Sequence, residues 1–227
     1  MPPTPGGCIS GNCDSGFGIQ VLAEGSRYEG NFRDGKFQGH GTHVYSNGSR
    51  YTGEWREGRK SGKGSGVLPD GRVYVGDWAD DQANGLGSMT TTSGAKYVGG
   101  FRDGQRSGVG TMVYPDGRRY SGEWRYDQRS GRGDATMPGG QRYVGEWRWG
   151  KPEGRGVLTW PSGKRYRGEF RDGMLHGNGL MILPNGNRYE GEYRSGKPDG
   201  PGTLRFPDGR MREGLWKGGK LIEDPIE

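Results

Sequence analysis

The residues that could carry out chemistry are few, and none lies in a recognisable catalytic pattern. The chain has 227 residues and only three histidines. His40, His43 and His176 do not form an H-E-x-x-H pair, and no serine or cysteine lies in a nucleophile motif. The glycine-rich loops lack G-x-x-x-x-G-K-S/T, and tight turns explain their glycines more simply. We therefore predict that the protein is not an enzyme and has no catalytic residue and no cofactor.

Cys8 and Cys13 form a C-x-x-x-x-C pair near the start of the chain. Two cysteines cannot complete a tetrahedral zinc site, and no histidine pair is close in sequence, so we assign no metal site. Three interpretations of the pair remain open: buried thiols, a disulfide, and attachment of a metal or a lipid.

The composition alone points towards disorder. Only 28% of the residues are hydrophobic, and 50 residues are glycine. Glycine loses much backbone freedom on folding, and a chain this poor in aliphatic carbon lacks an ordinary core. However, 7 tryptophans and 12 tyrosines are too many for a solvated tail, and the net charge of +6 combines 33 basic with 27 acidic residues. The order of the residues along the chain must therefore decide between a folded and a disordered protein.

Self-similarity at a period of 23 residues resolves the question. Each unit has a tyrosine, a glycine two places later and an aromatic residue four places later, which are the residues that share one face of a β-strand. The eight tyrosines are Tyr28, Tyr51, Tyr74, Tyr97, Tyr120, Tyr143, Tyr166 and Tyr189. The aromatic partners are Phe32, Trp55, Trp78, Phe101, Trp124, Trp147, Phe170 and Tyr193.

Turn residues divide each unit into two strands. Glycine stands seven places after the tyrosine, except where Asp81 and Asp127 replace it, and Asp tolerates left-handed backbone at modest cost. A G-x-G pair and a second glycine turn, such as PDG at 69–71, follow in each unit. The sequence therefore predicts an all-β fold of tandem β-hairpins in a single antiparallel sheet, a rod or trough of roughly 80 Å.

The pattern Y-x-G-E-W-x-x-G followed by G-x-G resembles the MORN (membrane occupation and recognition nexus) repeat family. It is clearest in YTGEWREGRKSGKG at 51–64 and YVGEWRWGKPEGRG at 143–156, and it covers residues 28–211. The resemblance implies an elongated, gently twisted, solenoid-like sheet with a groove that serves as a scaffold or docking module. Such repeats occur in junctophilins, radial spoke head proteins, cytoskeletal proteins of parasites and plant phosphoinositide kinases.

Three segments follow from the repeat boundaries. Residues 1–27 hold a degenerate half-repeat, in which Cys8 and Cys13 are expected to belong to a cap. Residues 28–211 hold eight repeats, and residues 212–227 hold a C-terminal half-repeat and tail. MPPTPGG has no hydrophobic run, and no stretch reaches the roughly 18 apolar residues of a membrane span. We expect a soluble protein of the cytoplasm or cytoskeleton, and end-to-end or antiparallel homodimers are possible.

Charged residues recur on the strand face opposite the aromatic residues. Basic residues stand five places after the tyrosine (Arg33, Arg56, Arg102, Arg125, Arg148, Arg171, Arg194) and directly before it (Arg27, Arg50, Lys96, Arg119, Arg142, Arg165, Arg188). Acidic residues stand three places after it (Glu54, Asp77, Glu123, Glu146, Glu169, Glu192). We predict that these rows neutralise each other as cross-strand pairs on a solvated face. Attraction to an anionic lipid or an acidic protein is the alternative, and nucleic acid is not expected.

The aromatic rows supply the predicted binding site. A long trough of tyrosine and tryptophan suits an extended peptide or an amphipathic helix, although the rings could equally pack only on each other. The predicted groove residues are Tyr51, Trp55, Tyr74, Trp78, Tyr97, Phe101, Tyr120, Trp124, Tyr143, Trp147, Tyr166 and Phe170.

Three functional hypotheses follow. The resemblance favours a protein-interaction scaffold of a cytoskeletal assembly such as the axoneme of a cilium or flagellum. The first alternative is a membrane-apposed module that binds phosphoinositides or tethers a membrane to the cytoskeleton, and it would need a basic cluster or an anchor. The second is a prokaryotic repeat protein without a cytoskeletal role.

Overall fold

The computed structural model describes residues 6–223 and divides into two units, Met1–Pro115 and Asp116–Glu227. The first five residues of the predicted cap and the last four of the predicted tail lie outside the described residues.

The first unit contains an antiparallel sheet whose strands pair in chain order. Its strands are β1 (Gly7–Gly11), β2 (Gly16–Val21), β3 (Arg27–Arg33), β4 (Lys36–Val44), β5 (Arg50–Arg56), β6 (Arg59–Val67), β7 (Val73–Ala79), β8 (Gln82–Thr90), β9 (Lys96–Arg102) and β10 (Gln105–Val113).

The second unit repeats this arrangement. Its strands are β11 (Arg119–Arg125), β12 (Gln128–Thr136), β13 (Arg142–Arg148), β14 (Lys151–Thr159), β15 (Arg165–Arg171), β16 (Met174–Ile182), β17 (Arg188–Arg194), β18 (Lys197–Arg205), β19 (Met211–Lys217) and β20 (Lys220–Glu223), and a short 3₁₀ turn (Pro138–Gly140) follows β12. The predicted all-β fold of tandem antiparallel hairpins is confirmed.

Two-residue turns join the strands within each repeat. Both turn residues have positive φ, as at Asp34 (51°) and Gly35 (69°), which matches the twist of an antiparallel hairpin. Asp81 and Asp127 take φ values of 68° and 62° where other repeats have glycine. The prediction that aspartate replaces glycine in left-handed backbone is confirmed.

A β-bulge follows each turn and sets the register of the hairpin. In the first repeat, Gly30 pairs with Gly41 and Phe32 pairs with Phe37. The second strand therefore has two more residues than the first between these two pairs. The extra residues include Gly39, whose φ is 65°. The bulge leaves backbone amides of the second strand without a partner across the ladder, and other groups must satisfy them.

Candidate functional site

The tyrosines occupy the centre of the aromatic face and are fully covered. Tyr51 is 1% exposed, and its hydroxyl donates a hydrogen bond to the carbonyl oxygen of Glu54 at 2.9 Å. Its ring meets Trp55 of the same repeat and Trp78 of the next repeat edge-to-face, each with a centroid distance of 5.0 Å. Burial raises the pKa of the Tyr51 hydroxyl well above its usual value. Tyr51 therefore packs between two repeats.

Tryptophans add a hydrogen bond between successive repeats. Trp55 Nε1 donates to the carbonyl oxygen of Gly41, and Trp78 Nε1 donates to that of Gly64, both at 3.2 Å. In the second unit, Trp147 Nε1 donates in the same way to Gly133 at 3.3 Å. Each of these tryptophans thus fixes its hairpin against the preceding one within the same unit.

All twelve residues of the predicted groove lie in this interior. Each of these side chains is at most 6% exposed, from Tyr74, Tyr97, Tyr143 and Tyr166 at 0% to Trp78 at 6%. The structure does bring these rings together, but they contact one another as a hydrophobic core and do not line an open groove. Binding of a partner by these rings stays a prediction.

On the opposite face, the row of acids does not form the predicted ion-pair lattice. Among the described residues, no carboxylate of this row pairs with an arginine of either basic row, and Asp77 instead pairs with Lys63 of the neighbouring strand. The hydrogen bonds from Lys63 and from the Leu86 amide hold the pKa of the Asp77 carboxyl below its usual range. The predicted lattice is therefore wrong.

The bulge explains which groups these carboxylates bind. Glu54 Oε1 accepts a hydrogen bond from the backbone amide of Lys63 at 2.9 Å, and Glu123 Oε1 accepts one from the amide of Arg132 at 2.8 Å. In these bonds the acceptor stands three places after the tyrosine and the donor twelve places after it, next to a glycine of the bulge, and Asp77, Glu146 and Glu169 accept in the same way. In the eighth repeat, Pro201 stands at the donor position and has no N–H to offer Glu192. The carboxylates satisfy amides that the ladder cannot pair, which is a structural role rather than a binding role.

The charged rows are interrupted in the third and fourth repeats. Val73, Ala79 and Gly100 stand where other repeats have a basic or acidic residue. The side chains around them are apolar and exposed: Leu86 is 68% exposed and Val109 is 71% exposed. We define the outer apolar surface as Val67, Val73, Val75, Leu86, Val98, Val109 and Val113, each at least 39% exposed.

The strand register makes this surface contiguous. Val75 of β7 pairs with Ser88 of β8, which pairs with Val98 of β9, which pairs with Thr111 of β10. Next to this row, Leu86 lies opposite Gly100, whose missing side chain leaves the leucine uncovered. Clustered apolar side chains on a solvent-facing sheet are typical of interaction sites, whereas single exposed ones need no explanation.

In the second unit, the corresponding face is charged and concave. A groove of about 980 Å³ runs across β14 to β19, and Arg155, Arg167, Glu169, Glu190 and Glu213 line it together with several glycines. A Cβ on the glycines of this groove would point away from it, since a Cβ on Gly156 would meet Tyr143 and one on Gly179 would meet Tyr166. The groove therefore lies on the face opposite the buried aromatic rings.

Two aromatic residues are exposed at turns of the second unit, and the repeat pattern did not single them out. Tyr126 and Trp149 are 58% and 61% exposed and have a φ of 50°. They occupy the same position in successive repeats, so both lie at the same edge of the sheet, beside Arg125 and Arg148. Bulky residues rarely adopt positive φ, so the backbone conformation at these two positions is unfavourable for their side chains.

A cluster of Glu24, Ser26 and His43 could suggest a catalytic triad that sequence reasoning missed. The Ser26 hydroxyl donates to Glu24 Oε1 at 2.7 Å, and His43 Nε2 lies 2.9 Å from Ser26 Oγ. A carboxylate cannot donate, so the serine proton is committed to Glu24 and the imidazole N–H donates to the serine. Ser26 is only 1% exposed and cannot reach a substrate. The cluster is a hydrogen-bond chain that runs from the buried His43 and Ser26 to the exposed carboxylate of Glu24.

The cysteines form a disulfide between Cys8 and Cys13, next to the first strand. Cys8 is exposed, so the interpretation as two buried thiols is wrong. His40 is exposed and His176 is half-buried. Within residues 6–223, no three His, Cys, Asp or Glu side chains are arranged to hold a metal ion.

No helix in the described part of the chain has the length and apolar character needed to cross a bilayer.

Several solved structures align with most of the chain at low sequence identity. They include the wild-type TCP10 domain of Danio rerio CPAP (16% identity, TM-score 0.47, covering 92% of this chain and 99% of that one) and the same domain with a peptide of Danio rerio STIL (16%, 0.38, 97% and 100%). Another is the SAS-4 (dCPAP) TCP domain of Drosophila melanogaster with a proline-rich motif of Ana2 (11%, 0.28, 96% and 97%). A sequence comparison with curated proteins finds no match.

A model of one protein family matches the chain over most of its length. The MORN repeat model matches eight consecutive segments, at residues 28–50, 51–71, 74–96, 97–118, 120–142, 143–165, 166–188 and 189–209. These segments coincide with the tyrosine–glycine–aromatic hairpins and account for most of the sequence. The chain therefore belongs to the MORN repeat family.

Proposed function

We propose that the protein is a non-enzymatic scaffold that binds a segment of a partner protein on the outer apolar surface. The observation that carries this proposal is the replacement of charged residues by Val73, Ala79 and Gly100 at the place where Leu86 and Val109 are exposed. Nothing in the hairpin geometry requires valine or leucine there, since other repeats have charged side chains at equivalent positions.

The size of the surface favours a single segment over a folded domain. Its residues other than Val67 lie on β7 to β10, where the surface extends about 14 Å across the strands and about 13 Å along them. That footprint is roughly a quarter of the 800 Å² that each partner buries in a standard protein interface. An extended peptide or the apolar stripe of an amphipathic helix fits these dimensions.

Site-specific crosslinking in cells tests the proposal. A photo-crosslinking residue at position 109 should capture a discrete partner, whereas the same residue at position 178, its equivalent in the seventh repeat, should not. Leu86→Asp combined with Val75→Asp should abolish capture from position 109 without changing the thermal unfolding midpoint. Equal capture from both positions, or capture that survives the double substitution, would show that the surface does not select a partner.

Within this proposal, we place the protein in a cytoskeletal assembly such as the axoneme of a cilium or flagellum. The support is the regularity of the array: eight units of equal length with no insertion suit a spacer in a periodic assembly. Imaging of a tagged copy should show a filamentous or ciliary pattern. A diffuse cytosolic distribution would reject this placement while leaving the binding of a segment open to the crosslinking test.

A membrane-apposed role is the second candidate, because Tyr126 and Trp149 project at one edge beside Arg125 and Arg148. Interfacial aromatic residues and cations both favour a lipid headgroup region. Sedimentation with phosphatidylcholine vesicles, with and without a phosphoinositide, tests this role. Retention that is lost when both aromatic residues are changed to asparagine would support it. Failure to sediment with either vesicle would reject it.

A further inference from the structure

The second repeat differs from the others in one residue that opens its aromatic face. Fifteen places after the tyrosine, the other repeats have His43, Met89, Met112, Ala135, Leu158, Met181 or Leu204, whereas the second repeat has Gly66. The backbone does not require glycine there, because Gly66 is not among the glycines with positive φ. A Cβ at this position would lie 3.1 Å from Trp78 Cζ2, so the glycine lets the tryptophan edge come close to the backbone of this strand.

The space left by Gly66 is a pocket of about 260 Å³. Tyr45, Trp78 and Lys60 line it, together with turn residues from the preceding hairpin. The polar side chains of that turn already have partners, since Ser49 Oγ donates to Asn47 Oδ1 at 2.7 Å. The volume lies just below the usual range for small-molecule sites, so the pocket suits one ring-sized group.

Lys60 places a positive charge in this pocket. Its Nζ lies 5.1, 5.7 and 5.3 Å from the ring centroids of Tyr45, Tyr51 and Trp78. Within residues 6–223, Nζ forms no ion pair, and Asp81 instead accepts a hydrogen bond from the Lys60 backbone amide at 3.0 Å. Burial lowers the pKa of the Lys60 ammonium, and the Asp81 charge partly opposes this shift.

We propose that this pocket binds a carboxylate attached to a flat apolar group. The ring would occupy the space beside Trp78 that side chains fill in other repeats, and the carboxylate would pair with Lys60 Nζ. An ion pair in such a half-buried site is stronger than a surface pair, because the rings already exclude part of the water. The aromatic C-terminal residue of a polypeptide and a free aromatic acid both carry this chemistry. The pocket lies on the aromatic face and shares only Val67 with the outer apolar surface, so the inference rests on different residues.

Calorimetric titration of the full chain tests the proposal with four probes. 3-Phenylpropionate and a hexapeptide ending in phenylalanine carry the carboxylate, and 3-phenylpropionamide and the C-terminally amidated hexapeptide do not. We expect each carboxylate that binds to do so at least about tenfold more tightly than its amide. Binding by the peptide identifies a chain end as the source, and binding by the free acid alone identifies a small molecule.

Variants locate the binding. Gly66→Met installs the side chain of the neighbouring repeat and should remove binding, and Lys60→Gln should weaken it at least about tenfold. Lys63→Gln, on the opposite face, should leave it unchanged. If Gly66→Met does not fold, the affinity of Lys60→Gln for the carboxylate probes tests the proposal by itself. Absence of binding by both carboxylates, equal binding by the amides, or unchanged binding in Lys60→Gln would overturn the proposal.

Discussion

Tyr51 lies across the backbone of Gly64 so closely that a Cβ on this glycine would be 2.5 Å from the tyrosine Cε2 atom. Gly64 pairs with Gly53 in the adjacent strand, and the two glycines leave the space that the ring fills. The aromatic residue and the glycine pair therefore form one packing unit, which explains why all three recur together in every repeat.

Substitution at this contact should be severely destabilising. Gly64→Ala forces the Tyr51 ring away from the sheet and weakens its contacts with Trp55 and Trp78, and overpacking of this kind costs about 1–3 kcal/mol or more. Urea denaturation followed by tryptophan fluorescence measures the loss. Gly7→Ala is the control, because no atom lies within 4 Å of a Cβ built there. Equal midpoints for the two variants would contradict the packing account.

The buried tyrosines should make the protein sensitive to alkali. Burial raises the pKa of Tyr74 to about 12, so the unfolded chain loses this proton near pH 10 while the folded chain retains it. The stabilisation is therefore complete below about pH 10 and falls as the pH rises towards the folded pKa. Above about pH 10, the free energy of unfolding in urea should fall with pH less steeply for Tyr74→Phe than for the wild type. The two slopes should differ by up to about 1.4 kcal/mol for each pH unit.

Met89→Ala is the control for this comparison. Met89 pairs directly with Tyr74, so the substitution destabilises the same place without removing a titrating group. Its pH slope should match that of the wild type. A Tyr74→Phe slope that also matches would show that the hydroxyl does not contribute to the pH dependence.

The strands and turns could be predicted from the sequence because a strict period of 23 residues fixes both. Tyrosine, glycine and aromatic residue two places apart define the buried face, and glycine or Asp81 marks the turn. The role of Glu54 could not be predicted in this way. Alternation assigns Glu54 to the outer face, but only the bulge shows that the Lys63 amide lacks a partner and that the carboxylate supplies one.

The candidate surfaces were harder to predict than the fold. The recurring tyrosine and tryptophan residues suggested a groove, although Tyr51 satisfies its hydroxyl within its own repeat and offers no free donor to a partner. The signs of the outer apolar surface were present in the sequence as departures from the repeat, at Val73 and Gly100. Departures of this kind are more informative about function in a repeat protein than the consensus residues, which mainly maintain the stack.

His43 should make the first unit sensitive to acid. Burial lowers its pKa and nearby Lys60 acts in the same direction, while the charge of Glu24 opposes them. The unfolded chain therefore gains a proton before the folded chain does, and stability falls as the pH decreases from about 7 to about 5. His43→Met, which copies the third repeat, should reduce the difference in thermal midpoint between these pH values. An unchanged difference would assign the acid sensitivity to other groups.

Trp149 should make the protein less stable than asparagine would at this exposed turn. Its φ of 50° is unfavourable for a bulky side chain, whereas asparagine adopts this conformation several-fold more often. Trp149→Asn should therefore stabilise the chain by about 0.5–1 kcal/mol, and Trp149→Val should destabilise it because a β-branched residue tolerates positive φ poorly. Urea denaturation should rank the stabilities as asparagine, tryptophan and valine, in decreasing order. A less stable asparagine variant would show that the indole makes a stabilising contact, and the strain would then no longer indicate a binding role for this residue.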